Sequence, residues 1–130
     1  MTTIRLSLFF PVDPAALYLG WLDSDEHSSF SGSEASIDPS QGGSFTAWDG
    51  YISGRNLVLE PFRRILQSWR TTDFPANAPD SRLELLFEPS GKGTQLVLIH
   101  SDFPPEQKEV YAQGWKDYYL DPMTDYFGEK

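Results

Sequence analysis

The sequence of 130 residues contains no cysteine and no long apolar run. Without cysteine, disulfides, thiol nucleophiles and cysteine-based metal sites are excluded, and the composition fits a reducing compartment. No apolar run approaches the roughly 20 residues that span a bilayer, and Met1 to Arg5 does not start a signal peptide. We therefore expect a cytoplasmic protein with no membrane partner.

Basic residues and histidines are also scarce. Ten Lys and Arg stand against 19 Asp and Glu, and the resulting net charge of −9 makes approach to a nucleic-acid backbone unfavourable. His27 and His100 are the two histidines, and no carboxylate lies at a recognisable ligand spacing from either. We predict no nucleic-acid partner, no metal site and no cofactor.

Aromatic residues are abundant at 15% of the chain, and many of them lie in its last stretch. From Pro104 to Phe127 the spacing predicts one long helix whose apolar residues cover a sector of about 140°. The residues in this sector are Tyr111, Trp115, Tyr118, Tyr119, Pro122, Met123 and Tyr126. So broad an aromatic face needs an equally broad surface to cover it.

The rest of the chain predicts a strand, two short helices and about six further strands. Ile4 to Phe10 alternates in the manner of a half-buried strand, and Asp13 and Asp23 are candidate N-caps for the two helices. Asp49-Gly50 predicts a two-residue turn between strands at 44–48 and 51–59. Short turns imply antiparallel pairing, so we predict a single α+β domain over residues 1–130, with the long helix covering one face of the sheet.

Short motifs follow one another along nearly the whole chain: Ala15-Ala16-Leu17-Tyr18 with Trp21, Asp25-Glu26-His27 leading to Phe30 and Gly32, Gly42-Gly43-Ser44-Phe45, Asp49-Gly50-Tyr51-Ile52-Ser53-Gly54, Glu60-Pro61 with Trp69-Arg70, Gly93-Thr94 with His100-Ser101, and Gln113-Gly114-Trp115 with Tyr118 and Tyr119. In order and spacing they resemble the START-like (SRPBCC, helix-grip) superfamily. Within it, they resemble the family of activator of heat-shock protein 90 ATPase homologues.

This resemblance implies a START-like helix-grip fold, in which a curved antiparallel sheet of about six to seven strands wraps around the long C-terminal helix. It also implies a cavity between sheet and helix that in many relatives takes an apolar small molecule. The eukaryotic chaperone activators carry an additional N-terminal domain, for which we expect no room in 130 residues.

Side chains from both elements are candidates for lining such a cavity. Gly114 leaves a gap on the helix, and Pro122 can bend the helix away from the sheet. The apolar sector of the helix is also compatible with an ordinary core that leaves no cavity. The candidate cavity residues are Phe45, Ile52, Gln67, Trp69, Leu85, Leu98, His100, Gly114, Trp115, Tyr118, Tyr119 and Met123.

Two polar residues point inward in this prediction. The strand phase places His100 with Leu96 and Leu98, where it could orient a ligand or simply be a core histidine bonded to a neighbour. Gln67 could orient a ligand carbonyl or satisfy its own amide locally. His100, Ser101 and Asp102 cannot form a catalytic triad, because successive strand side chains point to opposite faces.

Three function classes remain. The first is a binding module that holds an apolar or aromatic small molecule, with Trp69 and Trp115 giving most of the affinity and His100 and Gln67 giving orientation. The second is a protein-interaction module that docks on a chaperone or another protein. The third is a cyclase-like or hydrolase-like enzyme with His100 as acid or base, which is the weakest class because the sequence offers no activated nucleophile.

Overall fold

The computed structural model describes residues 3–128, which form seven strands and a set of helical segments. The strands are β1 (Thr3–Phe10), β2 (Ser36–Ile37), β3 (Ser44–Ala47), β4 (Ile52–Glu60), β5 (Arg64–Thr71), β6 (Ser81–Ser90) and β7 (Gly93–Ser101). They make one antiparallel sheet in the order β1-β7-β6-β5-β4-β3-β2. The antiparallel α+β prediction is confirmed.

Two short helices follow the first strand, as predicted. The helix α1 (Pro14–Leu22) begins where the side chain of Asp13 accepts a hydrogen bond from the backbone N–H of Ala16 at 3.0 Å. The helix α2 (Ser24–Ser31) begins in the same way at Asp23. These caps satisfy backbone donors that have no partner inside the helices.

A helical rod covers residues 105–128, and it is not the uniform α-helix that the sequence predicts. A 3₁₀ turn (Pro105–Gln107) leads into α3 (Lys108–Trp115), a π-helical segment (Lys116–Leu120) and α4 (Asp121–Gly128). Pro122 is the second residue after the π segment and cannot donate the backbone hydrogen bond that a regular α-helix would place there. The wider π turn accommodates this missing donor.

The π segment changes which side chains of the rod are buried. At 100° per residue, Tyr111 and Phe127 would lie about 160° apart, but both are buried because a π turn holds one more residue than an α turn. The sequence predicts Tyr118 within the apolar sector that faces the sheet, but this side chain is 59% exposed. The buried residues of the rod are Tyr111, Trp115, Tyr119, Leu120, Met123 and Phe127.

The turn between β3 and β4 also differs from the prediction. It contains four residues, from Trp48 to Tyr51, because Ala47 and Ile52 form the last pair of the ladder. Trp48, Asp49 and Gly50 all have positive φ angles of 54°, 57° and 90°. Three left-handed residues in a row take Trp48 out of the strand and leave its indole beside the rod, where its ring centroid lies 5.5 Å from that of Tyr118.

The sheet curves around the rod, and the core lies between them. Gly54 makes one close approach possible, because a Cβ at this position would lie 1.9 Å from the carbonyl oxygen of Ser68. The register of β4 against β5 shifts between Asn56 and Val58, which is a bulge that bends a strand. The concave face of the sheet therefore supplies one wall of the site described next.

Candidate functional site

A cavity of about 330 Å³ lies between the concave face of the sheet and the rod. Two of its lining residues, Val110 and Tyr118, are 64% and 59% exposed, so the cavity reaches the surface beside the rod. Its lining residues are Trp48, Tyr51, Ile52, Trp69, Thr71, His100, Val110, Tyr111, Gly114, Trp115, Tyr118 and Tyr119.

The structure brings seven of the twelve candidate cavity residues together here. They are Ile52, Trp69, His100, Gly114, Trp115, Tyr118 and Tyr119.

Five candidates lie outside this cavity lining. They are Phe45, Gln67, Leu85, Leu98 and Met123, all of them nearly or fully buried. Strand and helix periodicity gives the face on which a side chain lies, but not its position along the sheet. Phe45 packs against Trp69, the side chains of Leu85, Leu98 and Met123 belong to the hydrophobic core, and Gln67 is buried. A ligand role for any of the twelve stays a prediction.

Five lining residues were not among the candidates: Trp48, Tyr51, Thr71, Val110 and Tyr111. Trp48 and Tyr51 lie in the turn, whereas the sequence predicts them at the ends of the two flanking strands. Val110 lies on the outer side of the predicted helix, yet its spacing of four residues from Gly114, and of four more to Tyr118, is a signal that could have found it.

Val110, Gly114 and Tyr118 lie along one side of the rod, and Gly114 leaves a gap between the other two side chains. A Cβ on Gly114 would meet only one atom within 4 Å, the Cδ2 of Tyr118 at 3.8 Å. The helix therefore has no side chain where the cavity opens. Larger residues at this position would extend into the opening.

Aromatic rings make up most of the cavity wall. The ring centroids of Trp69 and Trp115 are 5.2 Å apart, and those of Trp115 and Tyr119 are 5.1 Å apart. Across the opening, Trp48 meets Tyr118 edge to face at 5.5 Å. Such a surface suits a flat apolar molecule, because aromatic rings interact favourably in offset and edge-to-face arrangements.

The imidazole of His100 is hydrogen-bonded through both nitrogens. The indole N–H of Trp115 donates to Nδ1 at 3.1 Å, so the ring hydrogen lies on Nε2 and is donated to Ser81 Oγ at 2.8 Å. The Ser81 hydroxyl in turn donates to the carbonyl of Trp69. Burial lowers the pKa of His100 to about 3, so it is neutral at physiological pH, and neither nitrogen is free to orient a ligand or transfer a proton.

Gln67 is also held by its neighbours. Its amide nitrogen donates to Asn56 Oδ1 at 2.8 Å, and its amide oxygen accepts from the indole N–H of Trp21 at 3.3 Å. Gln67 therefore links two sheet strands to α1 below the aromatic wall.

Tyr119 connects the cavity wall to the second histidine. The Nδ1 of His27 donates to the carbonyl of Trp21 at 2.9 Å, and its Nε2 accepts from the hydroxyl of Tyr119 at 2.9 Å. Burial lowers the pKa of His27 to about 4 and raises the pKa of Tyr119. The Tyr119 hydroxyl hydrogen is thus used inside the protein.

Three lining residues, Tyr51, Thr71 and Tyr111, form a polar group together with Asp73, which is not part of the lining, and we call these four residues the hydroxyl cluster. The Tyr51 hydroxyl donates to Asp73 Oδ2 at 2.6 Å, and the hydroxyls of Thr71 and Tyr111 are 2.7 Å apart. Burial raises the pKa of Tyr51 to about 12, with the Asp73 carboxylate adding to the shift. All three hydroxyls therefore keep their hydrogens at neutral pH.

Within residues 3–128, no group of three or more His, Asp or Glu side chains is arranged to hold a metal ion. In the same part of the chain, no helix is both long and apolar enough to cross a membrane.

The family model and the curated relatives that match this chain describe the same kind of protein. The family model described as "Activator of Hsp90 ATPase homolog 1-like protein" matches residues 11–128. The chain is 26% identical over 126 residues to the "Activator of 90 kDa heat shock protein ATPase homolog" of Dictyostelium discoideum, which covers 96% of this chain and 33% of that protein. It is 27% identical over 125 residues to the "Activator of 90 kDa heat shock protein ATPase homolog 1" of Homo sapiens, which covers 96% of this chain and 37% of that protein. The chain thus spans about a third of the length of these relatives.

Solved structures share the fold. An HSP90 activator from Plasmodium falciparum superposes with a TM-score of 0.88 at 22% identity, over 98% of this chain and 97% of that one. CalU16 from Micromonospora echinospora superposes with a TM-score of 0.83 at 25% identity, over 98% of this chain and 76% of that one.

Proposed function

The chain belongs to the Activator of Hsp90 ATPase homolog 1-like family, and from this premise we propose that it holds an apolar or aromatic small molecule between its sheet and its C-terminal rod. The observation that carries the proposal is the cavity of about 330 Å³ that opens beside Gly114. We propose a cytoplasmic location for this activity.

The size and chemistry of the cavity support this proposal. Sites for small molecules typically have volumes of about 300–1,000 Å³, with mostly apolar walls and a few polar groups that fix orientation. Trp69 and Trp115 supply broad apolar contact here, while the hydroxyl cluster supplies the polar part. Because both nitrogens of His100 are engaged, the role of orienting the ligand moves from His100 to these hydroxyls.

Native mass spectrometry of the purified protein tests for a bound molecule. We expect an adduct that is lost on denaturation, and a rise in melting temperature with some members of a panel of apolar aromatic compounds. A bare mass together with no thermal shift across the panel would contradict the proposal.

Gly114→Phe tests whether the cavity itself is the binding site. The added ring should extend into the opening and block ligand uptake at a modest cost in stability, whereas a ring forced into filled space should unfold the domain. Gly114→Ala is the matched control. Its Cβ makes only an ordinary contact with Tyr118, so binding should persist and stability should rise by about 0.5–1 kcal/mol from better helix propensity.

The second candidate function is engagement of heat-shock protein 90, which the names of the curated relatives favour. The region of similarity covers nearly all of this chain. A pull-down with a purified heat-shock protein 90 homologue, followed by an assay of its ATPase rate, tests this candidate. Retention of the chain and a faster ATPase would support it. Neither effect, at low as well as moderate salt, would refute it.

A further inference from the structure

In the hydroxyl cluster, one hydroxyl hydrogen is not fixed by a single partner. Tyr51 donates its hydrogen to Asp73, and the Thr71 oxygen accepts from the backbone N–H of Asp73 at 3.2 Å. The hydroxyls of Thr71 and Tyr111 carry two hydrogens, of which only one can lie in the 2.7 Å contact between them. The second can turn towards the Tyr51 oxygen or towards the cavity, because a hydroxyl hydrogen rotates about its C–O bond.

Three other buried polar side chains of the wall already use their hydrogens inside the protein. Trp115 donates to His100, His100 donates to Ser81, and Tyr119 donates to His27. The Thr71–Tyr111 pair is therefore a hydroxyl donor that a buried ligand atom can use, beside the indole N–H of Trp69, which makes no hydrogen bond with the described residues. A donor calls for an acceptor, such as the oxygen of a carbonyl group.

The charges around the cavity disfavour an ionic ligand. None of the twelve lining residues is Asp, Glu, Lys or Arg, and His100 is neutral. The charged member of the hydroxyl cluster, Asp73, is itself negative, as is the chain as a whole at −9. A buried carboxylate or phosphate would lose its hydration without gaining a cation, which is costly.

We propose that the cavity selects an uncharged, flat aromatic molecule with a carbonyl-type oxygen that accepts the available hydrogen of the Thr71–Tyr111 pair. The aromatic wall then holds the ring system, and the hydrogen bond sets which end of the ligand points to the pair. This inference rests on the proposed function, and it names the chemical class of the ligand.

Three naphthalene derivatives with nearly the same shape test this selection. Acetylnaphthalene carries a neutral carbonyl, isopropenylnaphthalene replaces its oxygen with a methylene group, and naphthoate carries a negative charge. Isothermal titration with each should show acetylnaphthalene binding roughly fivefold tighter than isopropenylnaphthalene, which is the effect of one neutral hydrogen bond. Naphthoate should bind most weakly.

The double variant Thr71→Val/Tyr111→Phe removes both hydroxyls of the pair. We expect its preference for the ketone over the alkene to fall to about one, while its affinity for the alkene stays near that of the unchanged protein. Tyr126→Phe is the matched control, because it removes a hydroxyl that contacts Glu26 at 3.2 Å, away from the cavity lining. It should keep the fivefold preference.

Infrared spectroscopy of isotope-labelled acetylnaphthalene gives a second measurement on the unchanged protein, and it decides the matter if the double variant does not fold. The carbonyl stretch should lie below its frequency in a hydrocarbon solvent, as it does for a hydrogen-bonded ketone. Equal binding of ketone and alkene, an unshifted carbonyl stretch, or tighter binding of naphthoate would overturn the selection while leaving small-molecule binding intact. Binding of none of the three would overturn the proposed function as well.

Discussion

Both histidines are buried in this fold, and each is hydrogen-bonded through both ring nitrogens. His100 joins β7 to β6 and to the rod, while His27 joins α2 to α1 and to the π segment. Their neutral forms fit these partners, because each ring donates one hydrogen bond and accepts one. A second ring hydrogen on His100 would face the indole N–H of Trp115, which cannot accept it, and this adds to the cost of burying the charge.

Stability should therefore fall as the pH drops below the ordinary histidine range. The unfolded chain takes up protons near a pKa of 6.5, whereas the native pKa values are about 4 for His27 and about 3 for His100. Above pH 6.5 the neutral histidines contribute fully to the free energy of unfolding. As the pH falls from 6.5 towards the native pKa values, this contribution decreases by up to about 1.4 kcal/mol per pH unit for each histidine. Urea unfolding between about pH 7 and pH 5 measures this slope.

His100→Gln and His27→Gln separate the two contributions. Each single variant should unfold more easily at neutral pH and should lose about half of the slope. The range stays above pH 5 because ordinary carboxylates titrate near pH 4. A slope that neither substitution changes would show that other groups cause it.

At the scale of single residues, strand alternation predicted correctly that His100 and Gln67 point inward. It could not predict their partners, since Ser81, Trp115 and Asn56 come from other elements that the fold brings close. For the same reason the hydroxyl cluster was not foreseen, because it joins the turn before β4, the end of β5, the loop after β5 and α3.

Among the secondary-structure elements, the rod departs most from the amphipathic pattern. The sequence predicted a continuous helix, and the rod is continuous, but the π segment between Trp115 and Asp121 changes the phase of everything after it. A helical pattern is recognised in a sequence by one constant period, so a residue inserted by a π turn is not detected. Pro122 was the available signal, although it was interpreted as a bend.

If the π segment is one extra residue in an α-helix, its length can be corrected by deletion. Deleting the exposed Asp117 and replacing Pro122 with Ala should give a regular α-helix that still buries Trp115, Tyr119 and Met123. We expect a cost below about 2 kcal/mol, since the core contacts persist. Urea denaturation and helical circular dichroism measure the result.

Inserting one Ala after Asp117 is the opposite change and serves as the control. It should turn the far end of the rod by about 100° and expose Met123 and Phe127, at a cost of more than about 4 kcal/mol. Equal stability of the two variants would show that the π segment does not set the phase of the rod.

For the whole molecule, the antiparallel pairing of successive strands could be predicted, because short turns bring neighbouring strands together. The cavity could be expected as a feature of the helix-grip resemblance, but its position could not. Where space remains between sheet and rod depends on the sizes of side chains from Trp48 to Tyr119 packed together in three dimensions. A sequence pattern does not contain that information.

The strand order also predicts how the molecule folds. The strands from β2 to β7 pair with neighbours along the chain, whereas β1 pairs with β7, so that Ile4 lies opposite His100. Contacts between distant residues form late, because a long loop must close first. Ile4→Ala should therefore speed unfolding with little effect on the folding rate, whereas the same substitution at the buried Ile65 in β5 should slow folding. Stopped-flow kinetics across a urea series measures both rates, and a slower folding rate for Ile4→Ala would contradict this order.

During synthesis this arrangement delays the completion of the sheet. The ribosome makes β1 first and its partner β7 last among the strands, on the order of 5–20 s later at ordinary elongation rates. Throughout that interval the apolar side chains of β1, including Phe10, have no place to be buried. The nascent chain therefore carries an unpaired strand with apolar side chains until β7 has been made, and its yield in a cell should depend on factors that shield such segments at the ribosome exit.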